Sequence, residues 1–148
     1  MRTPSPQVLR EIEQKMDEIV SRAEDTLRET IMLDEDTLER AKRSLKTSQL
    51  SNLLNLANET DSVKALELFI RYQMGRKSGK GWTIPQDRPI GERVIHSFQE
   101  LAKMAEEIAS HQKEISQKEI HIWLVRLYVG SLYRWFVALT GEEGGEGE

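Results

Sequence analysis

Apolar residues recur every three or four positions along most of this chain, with polar and charged residues between them. Because an α-helix turns once in 3.6 residues, this spacing predicts amphipathic helices, and no run alternates apolar and polar residues as a half-buried strand does. A long first helix is predicted after Ser5, a candidate N-cap that precedes Pro6 in the first turn. Its apolar stripe consists of Leu9, Ile12, Met16, Ile19, Ala23, Leu27 and Ile31.

Side chains able to cap a helix N-terminus mark where later helices begin. In chain order these candidates are Asp34 or Asp36, Asp61 or Ser62, and Ser116, and between the first two Thr47 or Ser48 can start a helix. They predict a second helix to about Leu45, a third and a fourth before residue 75, and a last helix that reaches Leu139. A fifth helix is expected over residues 94–109 from its apolar spacing. The last helix has most of the aromatic bulk and is expected to form the centre of the core.

Glycine and proline interrupt the helical pattern between the fourth and fifth helices. Six of these residues fall within the seventeen positions from Gly75 to Gly91, which predicts one long loop over roughly residues 78–91. Trp82 in this loop either stacks on a nucleic-acid base or anchors the loop to the helices, and the anchor is the favoured interpretation. The Gly-Glu tail, residues 141–148, is too polar to fold and is expected to be disordered.

These elements predict an all-α protein, a compact bundle of about five to six helices in one domain over residues 1–140. The 148 residues are enough for a sizeable core, and the absence of cysteine excludes disulfides and thiolate metal sites. The N-terminus has no apolar signal segment. The apolar stretch from Ile120 to Leu139 contains His121, Arg126 and Arg134, so no membrane helix is expected and a cytoplasmic location is predicted.

Charge is unevenly distributed along the chain, whose formal net charge is −4. The span from Arg40 to Lys80 has nine Lys or Arg against three Asp or Glu, a net +6, whereas residues 1–39 carry a net −6. Concentrated positive charge in an acidic protein points to a polyanionic partner, and the phosphate backbone of nucleic acid is the commonest one. The alternative is that the acidic first helix packs beside the basic middle and neutralises it. On the sequence both interpretations are open.

Candidate catalytic chemistry is sparse, since the three histidines are scattered along the chain. Two Glu–His pairs have i, i+4 spacing: Glu92 with His96 and Glu107 with His111. Ion pairing on a helix surface explains them better than a metal site, because helical di-iron sites use i, i+3 spacing. Residues 75–81 have too few positions between their glycines for a phosphate-binding loop. No catalytic residue, metal or cofactor is predicted, and the protein is not expected to be an enzyme.

Three short motifs resemble those of a known family. They are Lys46-Thr-Ser-Gln-Leu-x-Asn-Leu-Leu at a helix start, Tyr72-Gln-Met-Gly75-Arg76-Lys77 at a helix end, and Leu132-Tyr-Arg-Trp-Phe136-Val137-Ala138 in the last helix. The order and spacing of these motifs, together with the length of the chain, resemble those of the small all-helical subunit of type III CRISPR RNA-guided effector complexes, the Csm type especially. The resemblance covers roughly residues 45–80 and 120–140.

The chain departs from the family pattern at Ser51, where the family usually has an arginine that would contact phosphate. The first 39 residues are longer and more acidic than the resemblance implies, and the 78–91 loop looks like an insertion. A divergent type III subtype is therefore as good a match as the central Csm form.

The resemblance implies a non-catalytic structural subunit that holds guide RNA and target RNA by their backbones. Such subunits lie side by side in a filament with further copies of themselves and with other effector subunits, which cut the RNA. Lys and Arg supply sequence-independent phosphate contacts of this kind. Mapped onto this chain, the RNA-binding candidates are Arg43, Lys46, Lys64, Arg71, Arg76, Lys77 and Lys80. A helical protein–protein adaptor without nucleic-acid binding is the alternative function.

Overall fold

A computed structural model describes residues 4–112 and 115–141, and every regular element within these ranges is helical. The predicted all-α class is therefore confirmed. The α-helices are α1 (Pro6–Gln14), α2 (Met16–Arg28), α3 (Glu35–Ser44), α4 (Thr47–Glu59), α5 (Val63–Gly75), α6 (Ile90–Ala109) and α7 (Gln117–Thr140). A 3-10 helix over Lys77–Thr83, named the 3-10 segment below, follows α5.

The predicted first helix is two helices, because the α-helical ladder is interrupted at Lys15. This residue has φ −98° and ψ 0°, and its backbone N–H donates to the carbonyl of Ile12 at 2.9 Å, a tighter turn than the α-helical one. Val8 is buried and Leu9 is 50% exposed, so the predicted place of Leu9 in the apolar stripe was wrong. The stripe residues that are buried as predicted are Ile12, Ile19, Ala23, Leu27 and Ile31.

Four of the predicted caps are confirmed. The side chains of Ser5, Asp34, Ser62 and Ser116 accept hydrogen bonds from the backbone N–H three residues later, at 3.2, 2.8, 3.0 and 3.1 Å respectively. These bonds satisfy donors that the first helical turn leaves unpaired, which is why short polar residues locate helix starts. Helix α4 begins at Thr47 as predicted, with Lys46 in the N-cap position.

Helix α7 lies at the centre of the core, as predicted, and packs against α2, α4 and α6. Tyr128 of α7 is fully buried, with its ring edge-on to Phe98 and its hydroxyl oxygen 2.7 Å from that of Thr26 in α2. By length and composition alone, α7 is apolar enough to cross a membrane, and 56% of its most apolar window is buried against the rest of the protein.

The segment predicted as a long loop begins as the 3-10 segment and packs closely on its neighbours. Trp82 is fully buried, which confirms its interpretation as a hydrophobic anchor. A Cβ at Gly81 would lie 2.5 Å from the Cα of Leu45, and one at Gly79 would collide with the carbonyl oxygen of Gln73. Glycine allows backbones to approach this closely. The 3-10 segment is therefore fixed against the α3–α4 junction and the end of α5.

Arg126 connects α7 to the end of α4. Its guanidinium donates to the carbonyl oxygens of Ala57 at 2.7 Å and Thr60 at 2.8 Å, and to the carboxylate of Asp61 at 3.2 Å. The two carbonyls lie at a helix C-terminus, where backbone acceptors have no intrahelical partner. The arginine in the apolar helix α7 is thus explained by the hydrogen bonds that it donates to carbonyl oxygens at the C-terminus of α4.

Helix α7 is capped at its C-terminus by Gly141, whose φ of 73° lies in the left-handed region that favours glycine. Its backbone N–H donates to the carbonyl of Val137 at 2.8 Å. The rest of the predicted acidic tail, residues 142–148, lies outside the described residues.

Candidate nucleic-acid interface

One side chain joins the start of α4 to the 3-10 segment. Gln49 donates from Nε2 to the carbonyl of Ser78 at 2.9 Å, and its Oε1 accepts from the backbone N–H of Lys46 at 3.0 Å. Gln49 belongs to the first sequence motif, and Ser78 directly follows the second. Two motifs that are far apart in the sequence therefore meet in the fold.

This junction gathers cations of the basic middle, and five of them form what is named here the basic cluster. They lie in the last turn of α3, before α4, at the end of α5 and in the 3-10 segment. The basic cluster consists of Arg43, Lys46, Arg76, Lys77 and Lys80, all of them exposed. Because Gln49 binds Ser78 and Gly81 packs on Leu45, the segments that carry these cations are in direct contact.

Within residues 4–112 and 115–141, no member of the basic cluster forms an ion pair. Arg76 instead has its guanidinium carbon 5.3 Å from the ring centroid of Tyr72, a cation–π contact. Tyr72 is 61% exposed, so it adds an aromatic face to the edge of the basic cluster. Tyr72 was not among the predicted site residues, although its i, i+4 spacing from Arg76 was a usable signal.

The other two candidates, Lys64 and Arg71, are engaged elsewhere on α5. Both pair with Glu67, at 3.8 and 3.4 Å, and Arg71 also pairs with Glu92 of α6 at 3.0 Å. The hydrogen bond that Arg71 donates to the carboxylate of Glu92 is the main cause that raises the pKa of Arg71 above its ordinary value. Lys64 is separated from the end of α5 at Gly75 by about 16 Å of helix, at 1.5 Å for each residue. These two cations are therefore not part of the basic cluster.

The acidic N-terminal helices pair mainly with α6. Lys15 and Glu107 are 3.5 Å apart, Glu29 and Arg93 are 3.3 Å apart, and Arg22 binds both Glu18 and Glu100. In the part of the chain that the structure describes, no ion pair joins residues 4–34 to the basic middle from Arg40 to Lys80. The interpretation that the first helix neutralises the basic middle was therefore wrong for these residues.

The two Glu–His pairs were predicted to be ion pairs on helix surfaces, but each histidine contacts a different glutamate. His96 lies 3.2 Å from Glu100, and His111 lies 2.9 Å from Glu11. His121 is partly buried, with Nε2 2.7 Å from the carbonyl of Phe98, and desolvation lowers its pKa. Across the described ranges, no group of three His, Asp or Glu side chains is arranged to hold a metal ion.

Two of the surface cavities bordered by the described residues lie beside candidate cations. The smaller has a volume of about 200 Å³, adjoins the basic cluster and is lined by Gln49, Asn52, Phe69, Gln73, Arg76, Ser78 and Trp82. The larger, of about 440 Å³, lies between α5, α6 and α7, with His121 on its wall and Lys64 and Lys118 among its lining residues. The smaller cavity contains residues from both motifs that meet at the junction.

Known proteins add no information about this site. Comparison of the chain with protein-family models, with curated proteins and with solved structures finds no match. The basic cluster and the cavity beside it are therefore the features from which function is inferred.

Proposed function

We propose that this protein is a non-catalytic, RNA-binding structural subunit of an RNA-guided CRISPR ribonucleoprotein of the type III kind. The basic cluster is the observation that carries the proposal. Its five cations come from four separate segments, and within the described residues none of them forms an ion pair. Exposed cations of this kind bind phosphate with release of counterions, without regard to base sequence.

The chemistry of the basic cluster supports a holding role. Lys46, Lys77 and Lys80 present ammonium groups, and Arg76 presents a planar guanidinium that can bind a phosphate through two hydrogen bonds. Guide and target sequences vary, so a subunit that serves every guide must contact the sugar-phosphate backbone. We assign no bond-breaking step to these residues.

The proposed assembly places further copies of this chain, and other effector subunits, beside one another along the RNA in the cytoplasm. The order and spacing of the three motifs support this part of the proposal, since two of them form the junction that carries the basic cluster. Surface is also available for contact with a neighbouring subunit, because Leu68 on α5 is 69% exposed.

Charge reversal tests the proposal. The triple variant Arg76→Glu, Lys77→Glu, Lys80→Glu should bind a generic single-stranded RNA about tenfold more weakly or worse at low salt. Each phosphate contact contributes about 0.7 to the slope of log affinity against log salt, so the slope should fall by about 2. Fluorescence anisotropy with labelled RNA over a salt series measures both quantities.

The matched control reverses three exposed cations away from the junction. Arg10, Lys103 and Lys118 lie on α1, α6 and α7 and, among the described residues, form no ion pair. Their reversal changes the net charge equally but should leave the slope almost unchanged. Equal loss in both variants would show a non-specific charge effect, and no salt-sensitive binding by the unmodified protein would contradict the proposal.

A helical protein–protein adaptor is the second candidate. It is favoured by the exposed apolar pair Leu68 and Tyr72, which lie one turn apart on α5. An adaptor should show no salt-sensitive RNA binding, and its partner should be lost on Leu68→Glu but retained by the triple variant. Co-purification of guide RNA with the complex distinguishes the two functions directly.

A further inference from the structure

All three asparagines of the chain lie in helix α4 and are exposed. They are Asn52, Asn55 and Asn58, and they are named here the amide row. Because each step of three residues turns an α-helix by about 300°, the three side chains follow one another along a face about 120° wide. Successive members are about 4.5 Å apart along the helix axis. The solvent side of α4 therefore presents a line of carboxamide groups.

The composition of this face is not explained by the stability of the helix. Asparagine is a poorer helix former than alanine, lysine or glutamate, since its short amide competes for backbone hydrogen bonds. Of the thirteen residues of α4 only Glu59 is charged, whereas six of the ten residues of α3 are charged. A face that needed only solvation would be served as well by the charged residues that cover α3.

The amide row has hydrogen-bonding capacity to spare. Within residues 4–112 and 115–141, no hydrogen bond involves the side chain of any of its three members. The amide of Gln49 differs, because it is already bonded to Lys46 and Ser78. A carboxamide has two N–H donors and one carbonyl acceptor. The amide row thus offers both kinds of hydrogen bond without any charge.

The amide row is continuous with the basic cluster. Asn52 and Arg76 border the same surface cavity, and Lys46 directly precedes α4. From Lys46 to Asn58 the sequence contains no Asp or Glu, so α4 itself presents no carboxylate to a phosphate chain before Glu59. A strand held by the basic cluster can therefore continue along the amide row.

The chemistry of the amide row matches the sugar of an RNA strand. A ribose lies between successive phosphates, and its 2′-hydroxyl both donates and accepts a hydrogen bond, as a carboxamide does. A phosphate only accepts, so it would leave the carbonyl oxygens of the amides without a partner. The 2′-hydroxyl is also the same at every nucleotide, which suits a surface that serves strands of any base sequence.

We propose that the amide row contacts ribose 2′-hydroxyl groups of the strand whose phosphates lie on the basic cluster, and that the protein thereby prefers RNA to DNA. The inference rests on the proposed RNA-binding function and names the sugar as the group that is recognised. The cations supply the salt-sensitive part of the affinity, and the amides supply the preference for ribose. No covalent bond is made or broken.

The first test compares strands that differ only in the 2′-hydroxyl. The full chain should bind a uracil-containing RNA about tenfold more tightly than the 2′-deoxy strand of the same base sequence, since one or two hydrogen bonds contribute on that scale. Both strands have the same phosphates, so their salt slopes should agree closely. Fluorescence anisotropy over a salt series measures the ratio and the slopes, and a second base sequence should give the same ratio.

The outcomes of this comparison separate the inference from the proposed function. Equal binding of RNA and the 2′-deoxy strand with an intact salt slope overturns the ribose contact alone. A preference confined to one of the two base sequences overturns it as well, because the protein would then recognise base edges. Absence of salt-sensitive binding by both strands overturns the RNA-binding function together with this inference.

The second test removes the amides. The triple variant Asn52→Ala, Asn55→Ala, Asn58→Ala should lose the preference for RNA and keep the salt slope. Since alanine is the better helix former, its unfolding temperature should be unchanged or higher. If the variant kept the full ratio, or kept it while a partner subunit was lost from the complex, the ribose contact would be overturned, and the latter result would assign the amide row to a protein interface.

The matched control removes three exposed amides from α1 and α6. It is the triple variant Gln7→Ala, Gln14→Ala, Gln99→Ala. This variant should keep both the preference for RNA and the salt slope of the unmodified protein. An equal loss of the preference in both triple variants would overturn the assignment to α4.

Discussion

Arg126 shows how one side chain can stabilise two helices. It is 13% exposed and donates to two carbonyl oxygens, while its third partner, Asp61, is 72% exposed. Arg126→Ala should lower the free energy of unfolding by about 2–3 kcal/mol, because it leaves part-buried acceptors unpaired. Urea denaturation measures the loss.

Asp61→Asn is the matched control for Arg126. It removes the carboxylate and leaves both carbonyl bonds in place, so its effect should stay below about 0.5 kcal/mol, as for an exposed ion pair. If the two variants were equally destabilised, the ion pair would be the main contribution and the helix-end contact would be secondary.

His121 should make stability fall in mild acid. Burial lowers its pKa in the folded protein below the ordinary 6.5, so between these two values the unfolded chain binds more protons than the folded one. The stabilisation is complete above pH 6.5 and is lost as the pH falls from 6.5 through the folded pKa. Urea midpoints at pH 7.5 and 5.5 should differ less for His121→Gln than for the unmodified protein. An equal difference in both proteins would assign the acid sensitivity to other groups.

At the scale of single elements, the 3-10 segment is fixed by its glycines. A Cβ at Gly81 meets the backbone of Leu45, which cannot move without displacing α3 or α4. Gly81→Ala should therefore destabilise the protein by about 1–3 kcal/mol, the usual range for overpacking. Thermal unfolding followed by circular dichroism measures the change.

Gly75→Ala provides the comparison within the same region. A Cβ there meets nothing within 4 Å, and the residue is the last of α5. It should be neutral or stabilise by up to about 1 kcal/mol, because alanine loses less backbone entropy on folding. Similar destabilisation by both substitutions would mean that backbone freedom, rather than contact with Leu45, explains the need for glycine.

The elements that could be predicted from the sequence are those whose cause is local. Ser62 and Ser116 cap helices through bonds three residues away, and such bonds can be inferred from spacing alone. The sequence has no glycine or proline at the break at Lys15, and the apolar periodicity continues across it unchanged. The 3-10 segment forms in a Gly-rich stretch because it packs on Leu45 and Gln73, contacts that no local pattern contains.

The candidate site, likewise, could be predicted from the sequence only where its causes are local. The excess of cations between Arg40 and Lys80 is visible in the sequence, and so is the helical spacing of Glu67 from Lys64 and Arg71, but partners from other helices are not. Arg71 is paired because α6 places Glu92 beside it, 21 positions later. Lys46 lies near the 3-10 segment because Gln49 bonds to Ser78. Long-range packing thus decides which of the seven candidates lie together.

At the scale of the whole molecule, the buried residues form one cluster with contributions from every α-helix and the 3-10 segment. Such a core should unfold in a single cooperative transition. Thermal curves from tryptophan fluorescence, which reports the 3-10 segment and α7, should coincide with those from far-UV circular dichroism. Two separated midpoints would show that part of the chain, such as α1 with α2, unfolds independently.

The central place of α7 has a consequence for synthesis on the ribosome. Helices α2, α4 and α6 all leave the exit tunnel before the helix they enclose, so the apolar surfaces that pack on α7 have no partner while translation continues. Nascent chains of this protein should therefore associate with chaperones until the residues of α7 emerge, and collapse to the native state should be late and abrupt.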